Sequence, residues 1–104
     1  MTRLSPAEAV AVVTAQAKTV CGGLEMMMLS GPLKKIIADL YRQIGPRGTY
    51  EQDEAVEVFV QQATLNGHSV EMVRPKIVAV VVALYAAGYV AAIDNAGFFI
   101  GRAP

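Results

Sequence analysis

Few side chains in this sequence could do chemistry, and their spacing argues against most chemistries. Glu51, Asp53, Glu54 and Glu57 crowd one short stretch and could supply an acid/base pair or a hard-cation site. The alternating oxygen ligands of a cation loop are missing, and the positive end of a helix dipole explains carboxylates in a first turn without a ligand. His68 has no second histidine and no cysteine near it, so it reads as an exposed turn residue rather than a catalytic or metal-binding one. Cys21 is the single cysteine, which rules out an internal disulfide and, with His68, leaves too few soft ligands for structural zinc. No neighbouring cation pattern would stabilise its thiolate, so it reads as a small buried residue. Met26, Met27 and Met28 read as adaptable packing or as the lining of a partner groove. Gly45-Pro46-Arg47-Gly48 lacks the lysine-bearing pattern of a phosphate loop. With no nucleophile set beside a base, no enzyme is expected, and no cofactor or metal is implied.

The elements around these residues follow from periodicity and punctuation. Ser5-Pro6-Ala7-Glu8 is a capping box with proline at the first helical position, and Val10, Val13, Ala17 and Val20 continue one face. Gly22-Gly23 should break that helix, with Leu24 to Leu29 a short helical piece stopped by Gly31-Pro32. A second helix aligns Leu33, Ile36, Ile37, Leu40, Tyr41 and Ile44. Thr49 and Gln52 form a capping box for a third, whose Ala55, Val56, Phe59, Val60 and Ala63 face the core until Asn66-Gly67 turns the chain. A fourth should start near Val73, with Pro75 in its first turn, share Ile77, Val80, Val81 and Leu84 on one face, and end at Gly88. Tyr89 to Ile93 and Phe98 to Gly101 are β-prone, and Asp94-Asn95-Ala96-Gly97 between them is turn chemistry, so a hairpin closes the chain. The fold class is mostly α with a small β-hairpin.

That order, helix into hairpin, is how a winged helix-turn-helix ends. The string RPKIVAVVVALYAAGYV resembles the recognition-helix region of bacterial winged-helix regulators of the MarR and PadR kind, on Arg74, Pro75, Ile77, Leu84, Ala87, Gly88, Tyr89 and Val90. The resemblance covers residues 33 to 102 and implies two parts. Residues 1–31 would be an N-terminal helical extension serving dimerisation, and residues 32–104 the winged-helix domain. It further implies binding to double-stranded DNA, with the fourth helix in the major groove and the wing beside the backbone. Carried over by position, Arg74 and Lys76 would make groove and phosphate contacts, Ser69 would donate to phosphate, Arg102 would reach the backbone from the base of the wing, and Arg47 is a further contact.

Two functions follow, neither enzymatic. The first is a small dimeric DNA-binding protein, a transcription regulator or a partition-type binder. The second is a winged-helix module that has given its recognition helix to protein contact. It rests on the outward positions of the fourth helix, Val78, Ala79, Val82, Ala83 and Ala86, which prefer protein to a groove, with Val78, Val82 and Ala86 as the oligomer or adaptor interface. Asp94 at the wing tip, and Glu51, Asp53, Glu54 and Glu57 on the third helix, oppose a polyanion.

Composition bears on both. The 104 residues suffice for one core, and with 54% of them apolar and 17% charged there is more apolar surface than a small sphere hides, which favours an oligomer. Lys plus Arg equals Asp plus Glu, nine of each, so no general cationic field draws in nucleic acid. Glu8 interrupts the first apolar run, against a cleaved signal peptide. Ile77 to Ile93 is the one charge-free stretch of 17 residues. As a helix it would reach roughly 25 Å, short of a bilayer core of roughly 30 Å, so no membrane is expected, and the lack of an internal disulfide fits a reducing cytoplasm best.

Overall fold

The elements run β1 (Thr2–Arg3), α1 (Pro6–Val20), α2 (Gly23–Leu40), β2 (Gly48–Thr49), α3 (Gln52–Leu65), α4 (Val70–Ala86), β3 (Tyr89–Asp94) and β4 (Gly97–Arg102). This computed structural model is thus mostly helical with one small antiparallel sheet, ordered β1-β4-β3-β2, and it describes residues 1–21 and 23–103. Gly22, half of the expected break, and the side chains of Met26, Met27 and Met28 lie outside the described residues.

The first cap forms as its sequence requires. Ser5 Oγ accepts from the Glu8 amide at 3.1 Å while the Ser5 amide donates to Glu8 Oε1 at 2.9 Å, and these bonds hold the Glu8 carboxyl below its ordinary value. Ala9, Val13 and Ala17 are buried, whereas Val20, expected on the same face, is exposed at the helix's last position.

The expected stop at Gly31-Pro32 does not occur, and α2 runs through it and across position 31/32. An internal proline costs a helix about 3 kcal/mol, because one donor is gone and the ring crowds the preceding turn. Burial of Leu33, Ile36, Ile37 and Leu40, each worth about 1.5–3 kcal/mol, offsets it. The helix then ends at Leu40, so Ile44, expected on the core face, is 82% exposed.

Two other starts also move. Thr49, expected to cap α3, pairs with Ala92 in the sheet, and Glu51 takes the cap position, its amide donating to Glu54 Oε1 at 2.9 Å. The fourth helix begins at Val70 behind Ser69, one turn ahead of the expected Val73, which places Pro75 in its second turn. Pro75 is exposed, so the missing helical bond falls where water can replace it.

The hairpin matches expectation closely. β3 and β4 pair from Tyr89↔Arg102 to Asp94↔Gly97, leaving Asn95 and Ala96 as a two-residue turn. Gly97 has φ +110°, and a Cβ there would lie 2.9 Å from the Gln43 carbonyl oxygen, so both conformation and space require glycine. Gly88, at φ +92°, follows α4 as the expected left-handed cap.

Inward residues of the sheet meet the helices around Phe98, whose ring lies 5.8 Å from Tyr41, 6.2 Å from Tyr50 and 6.5 Å from Phe59. Two half-buried tyrosines then tie helices to strands. Tyr41 Oη donates to the Leu4 carbonyl at 2.9 Å and accepts from the Ile100 amide at 3.0 Å. Tyr85 Oη donates to the Tyr50 carbonyl at 2.8 Å and accepts from the Ala91 amide at 3.1 Å. Burial pushes both phenols above their ordinary value. Among the described residues no helix is long and apolar enough to cross a membrane.

Candidate interaction surface

Helices α3 and α4 pack against each other through a short connection, residues 66–69, and α4 also packs against α1. This leaves α4 one outward ridge. Glu71, Pro75, Val78, Val82 and Ala86 fall on it at three- and four-residue steps, with Met72 at its edge. Met72 is 67%, Val78 39% and Val82 42% exposed, and Ala86 is also exposed. Val81, next to Val82 in sequence, is wholly buried. A surface helix ordinarily turns charge outward, and this one turns its methyl groups outward instead.

Most of the cationic candidates are engaged within the fold. Arg74 forks onto Glu57 of α3, Nη1 to Oε1 and Nη2 to Oε2, the latter at 3.2 Å. The pair lowers the Glu57 carboxyl and raises the Arg74 guanidinium. Arg102 lies 5.2 Å over the Tyr89 ring and donates to Tyr89 Oη at 2.6 Å. Lys76 and Arg47 make no ion pair among the described residues, and Lys76 is half-buried while Arg47 is exposed. Ser69 is the exposed N-cap of α4 and its hydroxyl makes no capping bond.

These side chains do not converge. Ser69, Arg74 and Lys76 share the first half of α4, whereas Arg47 and Arg102 sit at opposite ends of β3, beside Ile93 through Gly48 and beside Tyr89 respectively. Arg47 lines a cleft of about 310 Å³ with Thr49, Asp94 and Phe99. Arg3 lies 4.0 Å over the Phe99 ring and forms an ion pair with Asp94 that holds the Asp94 carboxyl low. The acid at the hairpin turn is therefore paired from β1.

The acids of α3 border the apolar ridge. Glu57 is joined to α4 at Arg74, and Glu51 and Glu54 act electrostatically on Tyr85 near the other end of that helix. Asp53, Glu54 and Glu57 are exposed, while Ala55, Val56, Phe59, Val60 and Ala63 are buried. Among the described residues no cluster of His, Cys, Asp and Glu could hold a metal ion. His68 is half-buried in the connection between α3 and α4, and Cys21 is half-buried.

A helix begun at Val73 leaves Met72 off this face, and Pro75, placed in its first turn, reads as part of the helix start rather than of the ridge. The three- and four-residue steps back from Val78 were the available signal. None of the sequence readings of Glu57, as a site carboxylate, a helix-dipole acid or an opponent of phosphate, pairs it with Arg74, although an acid and an arginine on consecutive helices also signal an ion pair. The chain matches no family model, no curated protein and no solved structure.

Proposed function

We propose that the chain is a small helix-turn-helix module of the winged-helix kind that works by protein contact, with the outward ridge of α4 as its docking surface. The reading rests on one observation: the helix a DNA reader would insert presents Met72, Pro75, Val78, Val82 and Ala86, and its one arginine is held by Glu57. Groove contact calls for donors and acceptors at base edges, which methyl groups do not supply beyond thymine contacts. Desolvating an apolar ridge against protein is favourable by about 25 cal/mol per Å². The 54% apolar composition points the same way.

Val82→Glu tests this, because a charge there is harmless in water and costly in a dry interface. The variant should keep its helical circular dichroism and lose oligomeric mass in sedimentation or binding to its protein partner. Unchanged mass and unchanged partner binding would sink the proposal.

A homodimeric double-stranded DNA binder, regulator or partition-type, is the second reading. It is favoured by the succession of α3, α4 and hairpin, and by Lys76 and Arg47, which make no ion pair among the described residues, and the Ser69 hydroxyl, which makes no capping bond. Duplex titration at two salt concentrations tests it. Binding should weaken steeply with salt and weaken further in Lys76→Ala with Arg47→Ala. No duplex binding at low salt removes this reading.

A further inference from the structure

We infer that the partner surface recognised by α3 and α4 is a basic amphipathic helix, its apolar stripe lying on Met72, Val78, Val82 and Ala86 and its lysines or arginines facing Asp53, Glu54 and Glu57. This deepens, and rests on, the reading of α4 as a protein-docking helix.

Charge placement selects this occupant. The protein as a whole is neutral, with nine acids against nine bases, yet the acids concentrate beside the ridge. Asp53, Glu54 and Glu57 are exposed on α3, and Glu71 opens the ridge itself. The flank is not distant from the methyl groups. Glu57 touches α4 at Arg74, one turn before Val78, and Tyr85, three residues after Val82, donates to the carbonyl of Tyr50, the residue before Glu51 at the start of α3. An acidic border therefore runs along the same side of α4 over most of its length. Arg74 balances only one of these carboxylates.

A ligand for this surface needs apolar side chains at i, i+3, i+4 and i+7 with cations along one margin, which is the pattern of a helix laid in a groove. The acidic border would speed its approach and reject acidic competitors. DNA is disfavoured by the same acids.

The test uses the full chain and two synthetic helical peptides of about five turns. Both carry leucines at i, i+3, i+4 and i+7, one with lysines on the margins and the other with glutamates. In fluorescence anisotropy at low salt the lysine peptide should bind at least about tenfold more tightly, and the gap should narrow as salt rises. Val82→Glu should abolish binding of the lysine peptide. Asp53→Lys with Glu57→Gln leaves the Glu51–Glu54 cap intact and should shrink or reverse the preference while circular dichroism stays unchanged.

Equal binding of the two peptides, still lost in Val82→Glu, would overturn the basic-partner inference and leave α4 docking standing. Binding indifferent to Val82→Glu would overturn both. Binding of neither peptide overturns the inference. So does displacement of the peptide by self-association at rising protein concentration, which would give the surface to a second copy of this chain.

Discussion

The hairpin and the outer ridge of α4 are neighbours in sequence and opposites in chemistry. In the hairpin, polar side chains are answered within the fold. Arg3 meets Asp94 and the Phe99 ring, Arg102 meets Tyr89, and Tyr41 and Tyr85 close backbone groups of both long strands. On α4 the apolar positions Met72, Val78 and Val82 stay in water, and no element of the described chain covers them. A region whose demands are met internally serves stability. A region that leaves apolar surface uncovered is the one to which the proposed function assigns contact.

Breaking the hairpin side should have the largest effect. Phe98→Ala removes the ring that Tyr41, Tyr50 and Phe59 surround and should lower unfolding stability by about 3–5 kcal/mol in denaturant titration. Next comes the contrast between adjacent valines on α4. Val81→Ala should cost about 2 kcal/mol, whereas Val82→Ala should change stability by less than about 0.5 kcal/mol and weaken only partner binding. Equal losses at the two sites would erase the distinction between the faces.

Tyr41→Phe should cost about 1–2 kcal/mol, because the Ile100 amide loses its acceptor and the Leu4 carbonyl its donor. The two tyrosines also set an alkaline limit. Their values are raised in the fold, so the unfolded chain releases these protons first. Stability is full below the ordinary tyrosine value of about 10 and falls as pH rises past it. A denaturation series from about pH 9 to pH 11.5 should show this fall, and Tyr41→Phe should flatten it.

The smallest effect lies at the ion pairs. Glu57 and Asp94 are depressed in the fold, so the stability they contribute is present above their ordinary values and is lost as pH falls through the lowered ones. Glu57→Gln should flatten only the acid limb, and less so in high salt because both partners are exposed.

Much of the architecture was legible, for identifiable reasons. The Ser5–Glu8 box, the core period of α3 and the Asp94–Gly97 turn are local signals whose chemistry acts within a few residues, and all three formed. Failures came where tertiary burial outweighed a local signal. Pro32 reads as a stop, but Leu33 to Leu40 bury enough surface to carry the helix through it. Pro75 suits a first turn by its local chemistry, yet the chain tolerates it one turn later on the wet side. Thr49 has a capping side chain but was taken by the sheet. At the surface, the apolar outward face at Val78, Val82 and Ala86 was visible from periodicity. The sequestering of Arg74 and Arg102 was not, because both partners come from other elements.

The outermost pairing of the sheet also constrains how the molecule is made. Strand β1 joins β4 at Thr2↔Arg102 and Arg3↔Gly101, so this pair brings together strands far apart along the chain. Helices α3 and α4 are joined by the short connection 66–69 and can pack locally, whereas the β1–β4 pair must close across the rest of the fold. Such a non-local closure slows folding relative to the helices. Until β1 docks, the free edge of β4 and the bare ridge of α4 are exposed together, which leaves the partly folded chain open to chaperones and to neighbouring copies.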